Sequence, residues 1–175
     1  MTCCKILSTI LISSLLALSS GCGYRIGARA MMHPQIKSIC IAEVKNDTLE
    51  MLAASIMRQQ LTERFMFDGA LKLKNPGEAD CVMYAKVIKV DNQTIRKDSR
   101  DNYLTYRPAV FRLTVTVEYK VIIPGSGELL VPARSVSGYS DYQILADPAI
   151  SRLNALKQAC YNAARLAVEY TTEAW

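Results

Sequence analysis

The sequence has few of the residues on which most catalytic and metal sites depend. Its 175 residues include one histidine, His33, and no GxGxxG, GxxxxGK[ST] or GxSxG motif. A lone histidine argues against a His-rich metal centre and against a His-dependent hydrolase. Paired carboxylates are also scarce. We therefore expect no enzyme, no bound metal and no cofactor.

Long apolar runs and a strong net charge are also absent. No run reaches eighteen apolar residues, which excludes a protein with several membrane-spanning helices. The formal charge of +5 over 175 residues is mild and does not call for nucleic acid. The chain is 50% apolar, which argues against disorder. Length and composition fit one globular domain.

The N-terminus has the pattern of a bacterial lipoprotein signal. The largely apolar segment 6–18 would cover about 20 Å as a helix, less than the roughly 30 Å of a bilayer core. Small residues follow it and precede Cys22. We expect residues 1–21 to be a cleaved signal peptide and Cys22 to be acylated with diacylglycerol and an amide-linked chain such as palmitate. Ser19 stands where the lipobox usually has an aliphatic residue, so ordinary secretory cleavage stays open.

Three cysteines would remain in the processed chain besides Cys22, namely Cys40, Cys81 and Cys160. Their number is odd and their spacing fits no metal site. Cys40 and Cys160 fall on apolar faces of predicted elements, which favours buried thiols. A Cys40–Cys81 disulfide in an oxidising periplasm is the alternative.

After a linker over residues 22–35, hydrophobic periodicity predicts a single α+β domain over residues 36–175. We predict these elements in order: strand 36–44, a helix to about 67, strand 71–74, strand 79–90, a hairpin tip at 91–106, strand 110–123, strand 135–144 and helix 147–172. Both helices are amphipathic and the best strand has one apolar face. We expect a two-layer sandwich, with two helices packed on one face of a mainly antiparallel four-stranded sheet.

Capping signals and apolar stripes support both helices. Asp47 and Glu50 form a predicted capping box, and Gly69 ends the first helix. Asp147 and Pro148 fit the N-cap and first position of the second helix. The expected stripe of the first helix is Leu49, Leu52, Ala53, Ile56, Met57, Leu61 and Phe65. The expected stripe of the second is Leu153, Leu156, Cys160, Ala163, Ala164, Ala167 and Tyr170.

Strand 110–123 alternates with period two, which predicts one buried and one wet face. Its predicted wet side faces either solvent or a partner and consists of Arg112, Thr114, Thr116, Glu118 and Lys120. In strand 79–90, we expect Val82, Tyr84, Ile88 and Val90 on one side. The hairpin between these strands carries Arg96, Lys97 and Arg100, which could bind phosphates. Nearby aspartates cancel this charge, so a solvated loop is the alternative.

Several short segments together resemble one family. Cys22–Ile26 resembles the C-G-[YF]-x-[LI] start of the LPS-assembly lipoprotein family (LptE), and Ile39–Asn46 before Thr48-Leu49-Glu50 resembles its first strand and helix start. The segments Glu78–Asp80, Thr105–Arg107 and Val121–Gly125 are also similar.

The resemblance implies the two-layer sandwich just described and a non-enzymatic lipoprotein of the outer membrane, lipid-anchored on the periplasmic side. It implies that the domain plugs and assembles the β-barrel LPS translocon, an LptD-like protein. It also implies that the domain binds LPS through basic residues of the long hairpin, where Arg96, Lys97 and Arg100 lie. The family's basic residue before the last helix has no counterpart in residues 145–148.

Two other functions stay open. A periplasmic regulatory lipoprotein that activates cell-wall synthesis or assembles an export pore also begins with a lipidated cysteine, a strand and a helix. A lipoprotein hydrolase is disfavoured because the sequence offers no nucleophile paired with a base.

Overall fold

The computed structural model describes residues 35–98, 107–143 and 147–172. The described strands are β1 (Ser38–Ile41), β2 (Lys45–Asn46), β3 (Lys72–Leu73), β4 (Cys81–Asp98), β5 (Arg107–Ile122) and β6 (Leu129–Tyr142). The helices are α1 (Ala53–Asp68) and α2 (Pro148–Thr172). The expected signal peptide and Cys22 lie outside the described residues.

The six described strands form one mixed sheet in the order β3–β1–β4–β5–β6, and β2 also pairs with β4. The three long strands β4, β5 and β6 are antiparallel, whereas β1 and β2 run parallel to β4, and β3 runs parallel to β1. The expected α+β class with two helices is confirmed. The sheet differs from the predicted mainly antiparallel sheet of four strands, because it has six described strands and β1, β2 and β3 pair in parallel. Helix α1 carries the chain back along the sheet, so β1 and β3 on either side of it must run in the same direction.

The two helices form the second layer and run in the same direction. Helix α1 packs on β1 to β4, helix α2 packs on β5 and β6, and the helices contact each other. Near their N-terminal ends Arg152 lies 2.6 Å from Glu50, and near their C-terminal ends Arg64 lies 3.6 Å from Glu169. We call the sheet face under the helices the inner face and the opposite one the outer face.

The predicted alternation of β5 is confirmed on the inner face. Its fully buried side chains are Leu113, Val115, Val117, Tyr119 and Val121. Burying an aliphatic side chain of this size contributes about 1.5–3 kcal/mol, so this row is a major part of the core. The side of β5 that was predicted to be wet, with Arg112 to Lys120, lies on the outer face.

Strand β4 departs from its predicted grouping because it contains a bulge. Its buried inner residues are Cys81, Met83, Ala85 and Val87, while Tyr84 and Ile88 are exposed. The pairing with β5 is irregular between Val87 and Lys89. This extra residue reverses the alternation, so Val90 packs against the core rather than lying beside Tyr84.

The predicted capping box of the first helix is wrong. Helix α1 begins only at Ala53, and its N-cap residue Leu52 makes no capping hydrogen bond through its side chain. Asn46 organises the preceding loop instead: its Oδ1 accepts hydrogen bonds from the amide and hydroxyl of Thr48, and its Nδ2 donates to the Glu50 carbonyl. This loop forms in place of an earlier helix start, because Asn side chains readily form hydrogen bonds with nearby backbone groups.

The apolar stripe of α1 is consequently shorter than predicted. Leu49 is fully exposed and Leu52 is half-exposed, whereas the five later stripe residues are buried. The predicted end is confirmed, because Gly69 adopts φ 66° and its amide donates to the Phe65 carbonyl. A left-handed residue at this place favours glycine.

The predicted start of α2 is confirmed. The Asp147 side chain accepts hydrogen bonds from the amides of Ala149 at 2.8 Å and Ile150 at 3.2 Å. The buried face of α2 is rich in small residues, namely Ala155, Ala159, Cys160, Ala163, Ala164 and Ala167. Tyr170, predicted in this stripe, is exposed at the end of the helix.

Cys40, Cys81 and Cys160 are buried free thiols. Ile39 pairs with Cys81 and Cys40 pairs with Val82, so the side chains of Cys40 and Cys81 point to opposite faces of the sheet. The alternative of a Cys40–Cys81 disulfide is therefore wrong. Burial raises the pKa of Cys81 and of Cys160 to about 12.

Candidate functional site

The outer face of the sheet is polar, and its side chains are paired across strands. The five residues that the sequence assigns to this surface project from β5 on this side, because their neighbours along the strand are buried inward. Neither helix covers this face. Most of its charged side chains form ion pairs with other side chains of the domain.

Arg112 is the most constrained side chain of the outer face. Its Nε and Nη2 donate to the two carboxylate oxygens of Asp141 at 2.7 and 2.9 Å, and its guanidinium lies 4.3 Å from the centre of the Tyr139 ring. The bidentate bond from Arg112 lowers the pKa of Asp141. The carboxylate and the ring together favour one orientation of the guanidinium plane.

The middle of the outer face carries hydroxyl groups. The Thr116 and Ser137 hydroxyls are 2.9 Å apart and hydrogen-bonded across β5 and β6. Thr114 pairs with Tyr139 in the same ladder. Water or another polar protein surface can cover these hydroxyl groups without loss of hydrogen bonds.

The third part of the outer face is a shallow depression near the β2 end of the sheet. Lys86 lies 2.9 Å from Asp47 and 4.0 Å from Glu118. The hydrogen bond to Asp47 raises the pKa of Lys86. The depression measures about 330 Å³ and has these lining residues: Glu43, Lys45, Tyr84, Ala85, Lys86, Glu118, Tyr119, Lys120 and Ala133.

Only part of the predicted basic hairpin lies within the described residues. Arg96 is exposed near the end of β4 and pairs with Val110 of β5, between two irregularities of the ladder. The backbone of Lys97 pairs with Pro108, whereas Arg100 lies outside the described residues. The structure thus brings Arg96 to the same long hairpin as Arg112. The proposal that the three basic residues act together stays a prediction.

The same hairpin has an aromatic contact that the sequence did not reveal. The rings of Phe111 and Tyr142 stack with centroids 5.5 Å apart, and the Tyr142 hydroxyl accepts a hydrogen bond from Asn92. The sequence likewise gives no sign that Arg112, Asp141 and Tyr139 form one cluster. Their relation depends on the register of β5 against β6, and only a correct pairing of these two strands could have shown it.

The described residues contain neither a candidate metal site nor a helix suited to a membrane. Within residues 35–98, 107–143 and 147–172, no group of three His, Cys, Asp or Glu side chains could hold a metal ion. In the same part of the chain, neither helix combines the length and apolar composition that a membrane crossing requires.

Comparison with known proteins shows a shared fold at low sequence identity. No curated protein matches the chain. A Xanthomonas campestris protein of the family DUF330 superposes with a TM-score of 0.55 at 10% identity, covering 82% of this chain and 90% of its own. A hypothetical protein of Chlamydia trachomatis gives 0.54 at 9% identity, with 78% and 96% covered. PelC of Paraburkholderia phytofirmans, a dodecamer, gives 0.52 at 12% identity, with 79% and 90% covered.

At these identities the likeness concerns the fold alone. A family model is more specific. The model of the family LptE, described as lipopolysaccharide-assembly, matches residues 36–170, which is well over half of the chain. That range extends from the residues before β1 nearly to the end of α2. The chain therefore belongs to the LptE family of non-enzymatic lipopolysaccharide-assembly lipoproteins.

Proposed function

We propose that this protein is an outer-membrane lipoprotein, anchored through an acylated Cys22 on the periplasmic side. It plugs and assembles an LptD-like β-barrel and binds LPS during insertion into the outer leaflet. The proposal is supported by the family to which the chain belongs. The observation that carries it is the outer face, which is polar, uncovered by the helices and internally paired.

A wet barrel lumen requires a plug with a polar surface that keeps its shape. On the outer face, Arg112 is fixed by Asp141 and Tyr139, and Thr116 is bonded to Ser137. Such a surface loses little side-chain entropy when a partner covers it. We therefore propose Arg112, Thr114, Thr116, Glu118 and Lys120 as residues that face the barrel.

Site-specific crosslinking tests this contact. A photoreactive phenylalanine is placed at Thr114 or Thr116 on the outer face, and at Lys157 or Gln158, which are exposed on α2, as matched controls. We expect a crosslink to one barrel protein from the outer face, identified by mass spectrometry, that exceeds the crosslink from α2. Crosslinks only from α2 would reject the outer face, and no barrel crosslink from any position would reject the partner.

The hairpin is the proposed LPS site. Arg96, Lys97 and Arg100 supply cations that can pair with phosphate groups. We expect charge reversal of all three to glutamate to weaken LPS binding at low salt, where surface charges are least screened. Charge reversal of Arg58, Lys72 and Lys157, exposed elsewhere in the domain, is the matched control. Equal binding by both variants would remove the hairpin from the site.

Depletion in cells separates transport from the regulatory alternative. Loss of the protein should reduce LPS at the cell surface while peptidoglycan composition stays the same. The reverse result would favour a regulator of cell-wall synthesis, and loss of an exported polymer with normal LPS would favour an export-pore factor.

A further inference from the structure

Two exposed apolar side chains stand at the C-terminal end of α1. Met66 is 70% exposed and Phe67 is 79% exposed, although their neighbour Phe65 is fully buried. The Arg64 guanidinium lies 5.0 Å from the centre of the Phe67 ring. Burying two side chains of this size in an apolar medium contributes about 1.5–3 kcal/mol each, which would stabilise a lipid contact at this end.

These residues lie at the end of the domain where the described chain enters. Helix α1 ends at Asp68, and β3 follows at Lys72, whose amide donates to the Lys37 carbonyl. Ser38 pairs with Lys72 in the parallel ladder. The C-terminal end of α1 and the start of β1 therefore belong to one end of the sandwich.

A second exposed apolar group lies at the opposite end of α1. Leu49 and Met51 in the loop before α1 are almost fully exposed, and Ile150 near the start of α2 is half-exposed. The sixteen residues of α1 separate the two ends by about 24 Å. Exposure alone therefore does not say which end meets a membrane.

The position of the proposed anchor favours one of the two ends. Twelve residues separate Cys22 from Gln35, where the described chain begins. If an acylated Cys22 lies in the bilayer, the end with Phe67 can touch the lipid surface directly. For Leu49 to touch it, the chain must also span the length of α1, which lowers the effective concentration of that end at the membrane.

Charges at the Phe67 end are balanced. Exposed Lys37 and Lys72 are offset by Asp68 and Asp80, also exposed. Glu169 lies 3.6 Å from both Arg64 and Arg165. An apolar contact with lipid should therefore depend little on anionic lipid or on salt.

We propose that Met66 and Phe67 insert into the lipid surface that holds the acylated Cys22, and so fix the orientation of the free lipoprotein before it meets a barrel. This inference rests on the proposed acylation. Apolar side chains of interfacial segments reach about 5–10 Å into the boundary between headgroups and acyl chains. The proposal concerns the acylated protein on the membrane, before it binds a barrel partner.

Tryptophan fluorescence in vesicles of brominated phosphatidylcholine tests the orientation. The single native tryptophan is removed as Trp175→Phe, and the processed full-length lipoprotein then carries either Phe67→Trp or, as the matched control, Leu49→Trp. We expect bromines near the headgroup to quench the F67W indole strongly and to shift its emission to the blue. The L49W indole should be quenched much less, and 0.5 M salt should change neither result.

Circular dichroism verifies that both variants fold, which is expected because both side chains are exposed. Quenching of L49W alone, of both indoles equally or of neither would overturn the inference. Intact mass of the N-terminal peptide is read separately. A peptide without acyl groups refutes the proposed anchor, whereas an acylated protein with an unquenched F67W indole refutes only the lipid contact of Met66 and Phe67.

Discussion

Gly138 of β6 lies directly against the backbone of Ala159 in α2. A Cβ atom on Gly138 would be 2.3 Å from the Ala159 carbonyl oxygen and 2.3 Å from the Ala163 amide nitrogen. Next to this contact, Asn162 Nδ2 donates to the Tyr139 carbonyl at 2.9 Å. The helix can approach the strand this closely only because residue 138 has no side chain.

Gly138→Ala should therefore destabilise the fold. Both obstructing atoms belong to backbone, which cannot rotate away, so α2 must shift from β6. We expect a loss of about 1–3 kcal/mol or more in the free energy of unfolding, measured by urea denaturation. Ser135→Ala, at an exposed position of the same strand, is the matched control. Equal stability of the two variants would contradict the close packing.

Asp80 provides a pH-dependent contribution to stability. Its carboxylate accepts hydrogen bonds from the Ser38 hydroxyl at 2.7 Å and from the amides of Ser38 and Lys37 at 2.9 and 3.0 Å. These bonds, led by that of the Ser38 hydroxyl, lower the pKa of Asp80 below its ordinary 3.8. A lowered pKa stabilises the fold above the unfolded-state pKa, and this contribution is lost as the pH falls through the folded-state value.

Asp80→Asn should consequently cost about 1 kcal/mol at neutral pH, because water competes at this exposed carboxylate. The stability difference from the wild type should shrink as the pH falls below about 4. Unfolding curves between pH 7 and pH 2.5 measure it. Glu78→Gln, an exposed carboxylate in the preceding turn, is the control. A difference that stays constant over this range would show that the charge of Asp80 is irrelevant.

The buried thiols should react slowly in the native protein. A pKa of about 12 leaves little thiolate on Cys81 or Cys160 at pH 8, and burial also blocks the reagent. We expect negligible reaction with Ellman's reagent under native conditions. After unfolding without reductant, Cys40, Cys81 and Cys160 should all react. Fewer than three thiols would reveal a disulfide and contradict the three free thiols of the structure.

Substitutions at Leu49 and Leu61 distinguish the predicted apolar stripe of α1 from the observed one. Leu61 is fully buried, and Leu61→Ala should cost about 2–5 kcal/mol. Leu49 is fully exposed, so Leu49→Ala should change stability by no more than about 0.5 kcal/mol. Thermal and urea unfolding measure the stability of the two variants. A large loss from Leu49→Ala would restore the earlier helix start that the capping box predicted.

The bidentate pair on the outer face should show a small measurable coupling. A double-mutant cycle with Arg112→Ala and Asp141→Ala should give about 0.5–1 kcal/mol, because both partners are partly exposed but well aligned. The pair Lys89–Asp91, 3.7 Å apart on the same strand, is the control and should give a coupling near zero. Equal coupling in both cycles would argue against a rigid Arg112.

The sequence was most informative where local rules and burial agree. The alternation around Leu113 and Val117 predicted the inner and outer faces of β5, and Asp147 with Pro148 predicted the start of α2. The predicted capping box of Asp47 and Glu50 was wrong. The same segment can form either that helix start or the loop around Asn46, and the sequence does not show which of the two is more stable.

Strand β4 shows why a local pattern cannot fix the sheet. Its bulge near Ile88 depends on pairing with β5, thirty residues further along the chain. The parallel position of β1 likewise depends on how α1 crosses the sheet. Neither relation leaves a periodic signal in the sequence.

For the candidate site, strand alternation was enough to predict which side chains of β5 face outward, from Arg112 to Lys120, because side-chain direction alternates along any strand. The contacts of these side chains follow from the packing of the whole domain. The pairing of Arg112 with Asp141 and the position of Phe67 beside the chain entry both depend on long-range packing. Such contacts are set by the free energy of the whole core, which no local segment contains.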